Sequence, residues 1–171
     1  MPSVNDDGRL HASFIENLKN GDQVLFWPYS GGAPRATLTR AMSIIQKNIF
    51  GKINSCNSYF NHLPGGRSFD NLWSDANFWI NWDPRPNPGF YGATSGARAL
   101  QITVSNYALN RGTWVTVATI VHEMAHVNGA PGGLSMAAEN ALAPCGLKGL
   151  VDPHAVGWNR RADADDGTRY A

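Results

Sequence analysis

The chain has 171 residues, of which 43% are hydrophobic and 16% are charged. This length and composition fit a single globular domain that can bury a core of its own. The formal net charge of +1 gives no electrostatic basis for binding nucleic acid or an anionic membrane, and no apolar run is long enough for a transmembrane helix.

The first ten residues, MPSVNDDGRL, are polar and acidic and contain no apolar stretch. We therefore expect no signal peptide, so the protein is either cytoplasmic, exported without a cleaved signal, or a domain cut from a longer chain. We expect one domain over 1–171, with loosely ordered polar tails at 1–9 and 159–171.

The first half of the chain contains two predicted helices and one predicted strand. LHASFIENLK (10–19) predicts a short helix, DQVLFWP (22–28) a strand, and RATLTRAMSIIQKNIF (35–50) an amphipathic helix. Residues 51–68 are rich in Asn, Ser and Gly, which predicts a loop. The aromatic side chains of 69–82 are predicted to belong to the core.

The second half contains one predicted strand and two predicted helices. Residues 83–92 carry three prolines and two glycines, which predicts an irregular loop. Residues 99–107 alternate between apolar and polar side chains, as in a half-buried strand. Residues 113–128 predict a helix, a GAPGG segment interrupts it, and 135–143 predict a second, short helix.

The helix predicted at 113–128 carries the motif HEMAH, in which His122 and His126 are four residues apart. Side chains at this spacing share one face of a helix, so both imidazoles can bind one ion. Zinc accepts imidazole nitrogens in a tetrahedral shell, and a neighbouring carboxylate can take a proton from water beside the ion. The motif therefore predicts a Zn²⁺ site with His122 and His126 as metal ligands and Glu123 as catalytic base.

The segment TIVHEMAHVNG resembles the active-site helix of the zincin metallopeptidases. The resemblance covers roughly residues 99–147. It implies an α+β fold: a single zincin-like domain with a small mixed sheet, an active-site helix that carries the motif, and a following helix that supplies a ligand. It also implies that 99–107 is the edge strand along which an extended substrate lies.

The third metal ligand distinguishes the branches of this family. The metzincin pattern needs a histidine or aspartate at the position of Gly132, and the deuterolysin-like pattern needs an aspartate that 127–150 lack. The gluzincin branch takes a glutamate from the following helix, and Glu139 is the only glutamate after the motif. The resemblance therefore implies Glu139 as the third ligand, with His154 and Asp152 as alternatives.

The resemblance also implies a hydrogen-bond donor that stabilises the oxyanion, a role that zincins often give to His, Tyr or Arg. His154 is the predicted catalytic residue for this role, and other candidates are Tyr91, Tyr107 and Tyr170.

The imidazole ligands should have hydrogen-bond partners of their own, because such contacts orient metal-binding histidines. The candidates are Asn128, Asn140 and Asp152. Cys56 and Cys145 either form a disulfide or remain two buried thiols, and the sequence favours neither.

These residues predict a zinc-dependent metalloprotease that hydrolyses peptide bonds by means of a metal-activated water. The short gap to Glu139 resembles that of injected bacterial effector peptidases and secreted toxin domains, which implies a protein or peptide substrate and an immunity or chaperone partner. Two alternatives remain open. One is a zinc amidohydrolase that acts on cell-wall or small-molecule amides, and the other is a non-catalytic binding domain that the metal stabilises, in which Glu123 would have no role.

Overall fold

The computed structural model describes residues 1–6, 12–17, 21–96, 98–132 and 135–150. Within these ranges the chain has an α+β architecture with a small mixed sheet and several helices, which confirms the prediction at this level. The strands are β1 (Ser3–Val4), β2 (Phe14–Asn17), β3 (Gln23–Phe26), β4 (Trp79–Asp83), β5 (Gly92–Thr94) and β6 (Gln101–Ser105). The helices are α1 (Gly32–Asn48), α2 (Asn54–His62), α3 (Phe69–Trp73), α4 (Asn106–Asn110) and α5 (Thr113–Val127). Short turns follow α5, of the 3-10 type at Glu139–Ala141 and Lys148–Leu150 and of the π type at Ala143–Leu147.

Four strands form the mixed sheet in the order β1-β4-β6-β5. β1, β4 and β6 are parallel, whereas β5 is antiparallel to β6, with Gly92 opposite Val104. The prediction that 99–107 forms the edge strand is wrong, because β6 lies between β4 and β5. The edge strand next to β6 is β5, which has three residues and follows a proline-rich loop, so it is too short to produce a recognisable alternation.

β6 is buried on both faces, so the prediction of a half-buried strand is also wrong. Ile102 and Val104 pack into the main core on the side of α5. The β2–β3 hairpin covers the polar face, where the Thr103 hydroxyl donates to the Leu25 carbonyl at 2.8 Å. Polar side chains can be buried in this way because each one finds a hydrogen-bond partner.

The predicted strand at 22–28 and the helices at 35–50 and 113–128 are confirmed as β3, α1 and α5. α5 is buried without interruption from Thr116 to Ala125, because α1 packs on one side of it and the sheet on another. This central position explains why its sequence is apolar on almost every face. None of the helices in the described ranges is both long and apolar enough to cross a membrane.

Three local predictions are wrong. In place of a helix at 10–19, the described part of this segment contains β2, which pairs with β3 and stacks Phe14 on Phe26 at 4.4 Å between ring centroids. The predicted loop at 51–68 contains the nine-residue helix α2. The predicted helix at 135–143 is replaced by the short turns that follow α5. In each case the local pattern is weak, so contacts with other segments determine the structure.

Residues 1–6 belong to the sheet and differ from the loose tail that the sequence suggested. β1 pairs with β4, and the buried Asn5 amide donates to the Asn81 side-chain oxygen at 2.8 Å. A strand of two residues gives no sequence signal, and it is fixed here by its partner strand. The other predicted tail, 159–171, lies outside the described residues.

Cys56 and Cys145 form a disulfide, which decides between the two alternatives that the sequence left open. The bond joins α2 to the turns that follow α5. Tyr59, also on α2, donates its hydroxyl to the Ala137 carbonyl at 2.6 Å. Burial raises the pKa of the Tyr59 phenol, which keeps this donor protonated. The turns after α5 are therefore fastened to α2 by both a covalent bond and a hydrogen bond.

Candidate metal centre

His122 and His126 lie one turn apart on α5, and their Nε2 atoms face each other at 3.2 Å. Two bonds of about 2.0–2.1 Å from one zinc ion, at the tetrahedral angle, would hold their nitrogens about 3.3 Å apart. The observed separation therefore fits two ligands of a single ion. His122 is buried and His126 is half-buried, so the pair lies where the core meets the surface.

Hydrogen bonds at Nδ1 determine which nitrogen of each imidazole carries the proton. His126 Nδ1 lies 2.9 Å from the carbonyl oxygen of Ala130, and a carbonyl only accepts, so this nitrogen donates. His122 Nδ1 lies 2.9 Å from Glu139 Oε2 and donates to that carboxylate. In a neutral imidazole that is protonated at Nδ1, Nε2 carries a lone pair. A separation of 3.2 Å between the two Nε2 atoms fits a proton shared between the rings, and it equally fits one metal ion bound by both nitrogens.

The turn that ends α5 supplies the Ala130 carbonyl. Gly129 has a φ of 88°, a left-handed conformation that favours glycine. The turn is closed by a hydrogen bond of 2.9 Å from the Ala130 nitrogen to the Ala125 carbonyl. The turn at Gly129 and Ala130 therefore orients His126.

Glu139 reaches His122, as predicted, but it contacts the Nδ1 edge of the ring, and its side chain is buried. Nδ1 and Nε2 lie on different edges of an imidazole, so this oxygen orients the ring from the side away from the facing Nε2 atoms. The contact does not show the predicted role of Glu139 as third ligand. No group of three or more His, Cys, Asp or Glu side chains forms a metal shell within the ranges that the structure describes. Asp152, His154 and Tyr170 lie outside those ranges.

Glu123 is fully buried and lies against the edge strand β5. The Thr94 hydroxyl lies 2.8 Å from Glu123 Oε2 and donates to it. A Cβ atom at Gly92 would lie 2.8 Å from Glu123 Cγ and 2.6 Å from Thr119 Cγ2, so only glycine leaves room for this carboxylate. The sequence did not point to Thr94 or Gly92, because β5 carries no motif and packs against a helix that lies much later in the chain.

Asn128 and Asn140 do not act as the predicted partners of the imidazoles. Asn128 ties the end of α5 to α2 and to the loop after it, since its amide donates to the carbonyls of Phe60 and Arg67 at 2.7 and 2.8 Å. Asn140 is exposed. The observed partners are a carboxylate and a backbone carbonyl, and the carbonyl could not have been identified from residue type.

Tyr91 and Tyr107, two of the oxyanion candidates, stack on each other at the start of β5, with ring centroids 5.2 Å apart. The Arg111 guanidinium lies over both rings, 4.6 Å from the Tyr107 centroid and 5.7 Å from the Tyr91 centroid. An Arg111 N–H also donates to the Tyr107 hydroxyl. Because Tyr91 directly precedes Gly92, this aromatic–arginine cluster adjoins the part of β5 that contacts Glu123.

Among the described residues, the structure thus brings together two imidazoles, the buried Glu123 carboxylate and the edge strand β5. Comparison of the chain with protein-family models, with curated proteins and with solved structures gives no match. The activity of the site is therefore inferred from its own geometry and chemistry.

Proposed function

We propose that the protein is a zinc-dependent metallopeptidase with a zincin-like arrangement of its active site. The observation that carries this proposal is the pair of Nε2 atoms that face each other at 3.2 Å, next to the buried Glu123. Imidazole nitrogens are ligands that zinc prefers. A pair of them beside a base is more typical of a hydrolytic zinc site than of a closed structural one.

Each residue of the site has a separate role in this proposal. His122 and His126 would hold the ion through Nε2, while Glu139 and the Ala130 carbonyl keep both rings in the required tautomer. When bound, zinc lowers the pKa of water and polarises a carbonyl group. Glu123 accepts a proton from the attacking water and returns it to the leaving amine.

The edge strand supports a peptide as substrate. Tyr91 and Ser95 hydrogen-bond to β6 through backbone groups, at 2.8 and 3.0 Å. In an antiparallel ladder the residues between them, Gly92 and Thr94, direct their N–H and C=O groups away from the sheet. An extended peptide that pairs with these groups would pass beside Glu123. A small amide would leave this edge unused.

The disulfide supports a place of action outside a reducing cytosol. Disulfides persist in oxidising compartments and are rare where glutathione keeps thiols reduced. The Cys56–Cys145 bond closes a separation of 89 residues and lies next to the segment that carries Glu139. We therefore favour an exported hydrolase.

Metal analysis together with one substitution tests the proposal. Purified protein should contain about one zinc per chain, as one mononuclear site requires. Glu123→Gln should retain that zinc and lose hydrolysis of an unfolded protein by at least about a hundredfold, since general-base catalysis contributes roughly 10²–10⁴-fold. His126→Ala is the control and should lose both zinc and activity.

Assays on muropeptides and on unfolded protein separate the two alternatives, an amidohydrolase and a non-catalytic domain. Hydrolysis of muropeptides without hydrolysis of unfolded protein would favour an amidohydrolase. A zinc-loaded wild type that is inactive on both would favour a non-catalytic domain. Full activity in Glu123→Gln would exclude the proposed role of the glutamate.

A further inference from the structure

We propose that Tyr91, Tyr107 and Arg111 form a subsite that binds a carboxylate of the substrate. The protein would then cleave peptides that carry an acidic residue a short distance from the scissile bond. This inference rests on the proposed peptidase function, because it assigns a substrate preference to the same edge strand.

The Arg111 guanidinium is held in a defined orientation, and it has no acidic partner among the residues that the structure describes. Within the described part of the chain, Arg35, Arg67 and Arg85 each form a salt bridge with an aspartate, whereas Arg111 forms none. Arg111 is exposed, yet the two tyrosine rings and the Tyr107 hydroxyl hold its guanidinium in place. An arginine that is already oriented loses less conformational entropy when it binds an anion.

The donors of the cluster match a carboxylate. A guanidinium has five N–H donors, and one of them is used by Tyr107. Because the Tyr107 hydroxyl accepts this bond, its own proton remains to be donated. A carboxylate can therefore accept from the guanidinium and from the phenol together, and such charge-assisted bonds are stronger than neutral ones.

The cluster of Tyr91, Tyr107 and Arg111 adjoins the part of β5 that contacts Glu123. Tyr91 is adjacent in sequence to Gly92, and a Cβ atom at Gly92 would touch the Glu123 side chain. An extended peptide advances about 3.3 Å per residue, so a substrate paired with β5 would reach the cluster within about four residues of the scissile bond. The cluster can therefore select one position of the substrate.

Mapping of cleavage sites in a mixed peptide library tests the inference. Wild type should show enrichment of Asp and Glu at one fixed position within about four residues of the cleaved bond. Arg111→Met should lose this enrichment. The matched control is Arg98→Met, since Arg98 is also exposed and lies over an aromatic ring, 4.1 Å from the Phe14 centroid, but follows β5 instead of preceding it. This control should keep the enrichment.

A binding measurement makes the test independent of turnover. Two labelled peptides that differ only by Glu or Gln at the mapped position are titrated into Glu123→Gln protein, and the affinity is read by fluorescence anisotropy. The Glu peptide should bind about tenfold more tightly, as expected for charge-assisted hydrogen bonds at a partly exposed site. In the double variant with Arg111→Met this ratio should fall to about one, while thermal melts verify folding.

The outcomes separate this inference from the proposed function. Cleavage without acidic enrichment, or enrichment that persists in Arg111→Met, would overturn the subsite alone. Equal affinities for the Glu and Gln peptides would do the same. Absence of cleavage of any peptide by the zinc-loaded wild type would overturn the peptidase function, and the subsite with it.

Discussion

Thr94 is the residue through which the edge strand holds the Glu123 carboxylate. Its hydroxyl donates to Oε2 at 2.8 Å and also lies 3.3 Å from the Glu123 backbone oxygen. Since a hydroxyl has one proton, the shorter contact to the carboxylate takes it. This hydrogen bond keeps the buried Glu123 carboxylate in one orientation, as its role of general base requires.

Replacement of Thr94 by Val should lower kcat by about tenfold, because an isosteric side chain without a donor leaves Glu123 less well oriented. Thr94→Ser keeps the hydroxyl and should restore most of the rate. Zinc content and Tm are measured for both variants, and they should stay close to those of wild type. If Ser and Val reduce kcat equally, Thr94 acts through packing and not through its hydrogen bond.

Glu139 is the second residue whose role one substitution can decide. Its contact with His122 Nδ1 places it as a group that orients a ligand. Glu139→Gln should therefore weaken zinc binding about 10–100-fold, as is typical when such a partner is replaced, without abolishing it. Competition with a chelator measures the zinc Kd. If zinc binding is lost as completely as in His126→Ala, Glu139 is a metal ligand, as the sequence predicted.

At the scale of elements, the turns after α5 depend on α2 for their position. The Cys56–Cys145 bond and the hydrogen bonds from Ser55 and Tyr59 connect α2 to these turns. The turns are short and partly irregular, so they have little stability from their own backbone bonds. α2 therefore holds the segment that places Glu139 against His122.

Loss of the disulfide should affect both stability and metal binding. Replacement of Cys56 and Cys145 by Ser should lower the free energy of unfolding by roughly 2–5 kcal/mol, because the bond restricts a long loop in the unfolded chain. The zinc Kd should rise as well, since Glu139 is then held less firmly. Tm and Kd are measured with and without reductant, which should affect wild type but not the double variant. An unchanged zinc Kd would show that α2 does not position Glu139.

The elements that could be predicted are those whose pattern is local. α1 and α5 show helical spacing of apolar residues over four turns or more, and the HEMAH motif depends only on the spacing within α5. β1, β2 and β5 have two to four residues, and each is a strand only because another strand pairs with it. For this reason the histidine pair was found in the sequence, whereas Thr94 and Arg111 were not.

At the scale of the whole molecule, β5 is held in place by packing on both of its faces. α5 lies against one face, and the β2–β3 hairpin supports the other through a small apolar cluster that contains Phe26, Phe90 and Ala93. The Glu16 carboxylate on β2 accepts hydrogen bonds from the Ser95 hydroxyl at 2.7 Å and the Gly96 nitrogen at 2.8 Å, which fixes the end of β5. A short edge strand can thus present backbone groups to a substrate without fraying.

Metal binding should stabilise the entire fold, because His122 and His126 lie on the helix around which the core is built. Any ligand that binds only the folded state adds RT ln(1 + [L]/Kd), which is about 2.7 kcal/mol at a hundredfold excess over Kd. For a protein of this length, 1 kcal/mol shifts Tm by about 2–4 °C, so zinc should raise Tm by roughly 5–10 °C. Differential scanning calorimetry of metal-stripped protein, with and without zinc, measures the shift. His126→Ala should show no shift, and magnesium should produce none in wild type, since it prefers oxygen ligands. An equal rise in His126→Ala would place the stabilising zinc site elsewhere in the molecule and would remove the main support for the proposed active site.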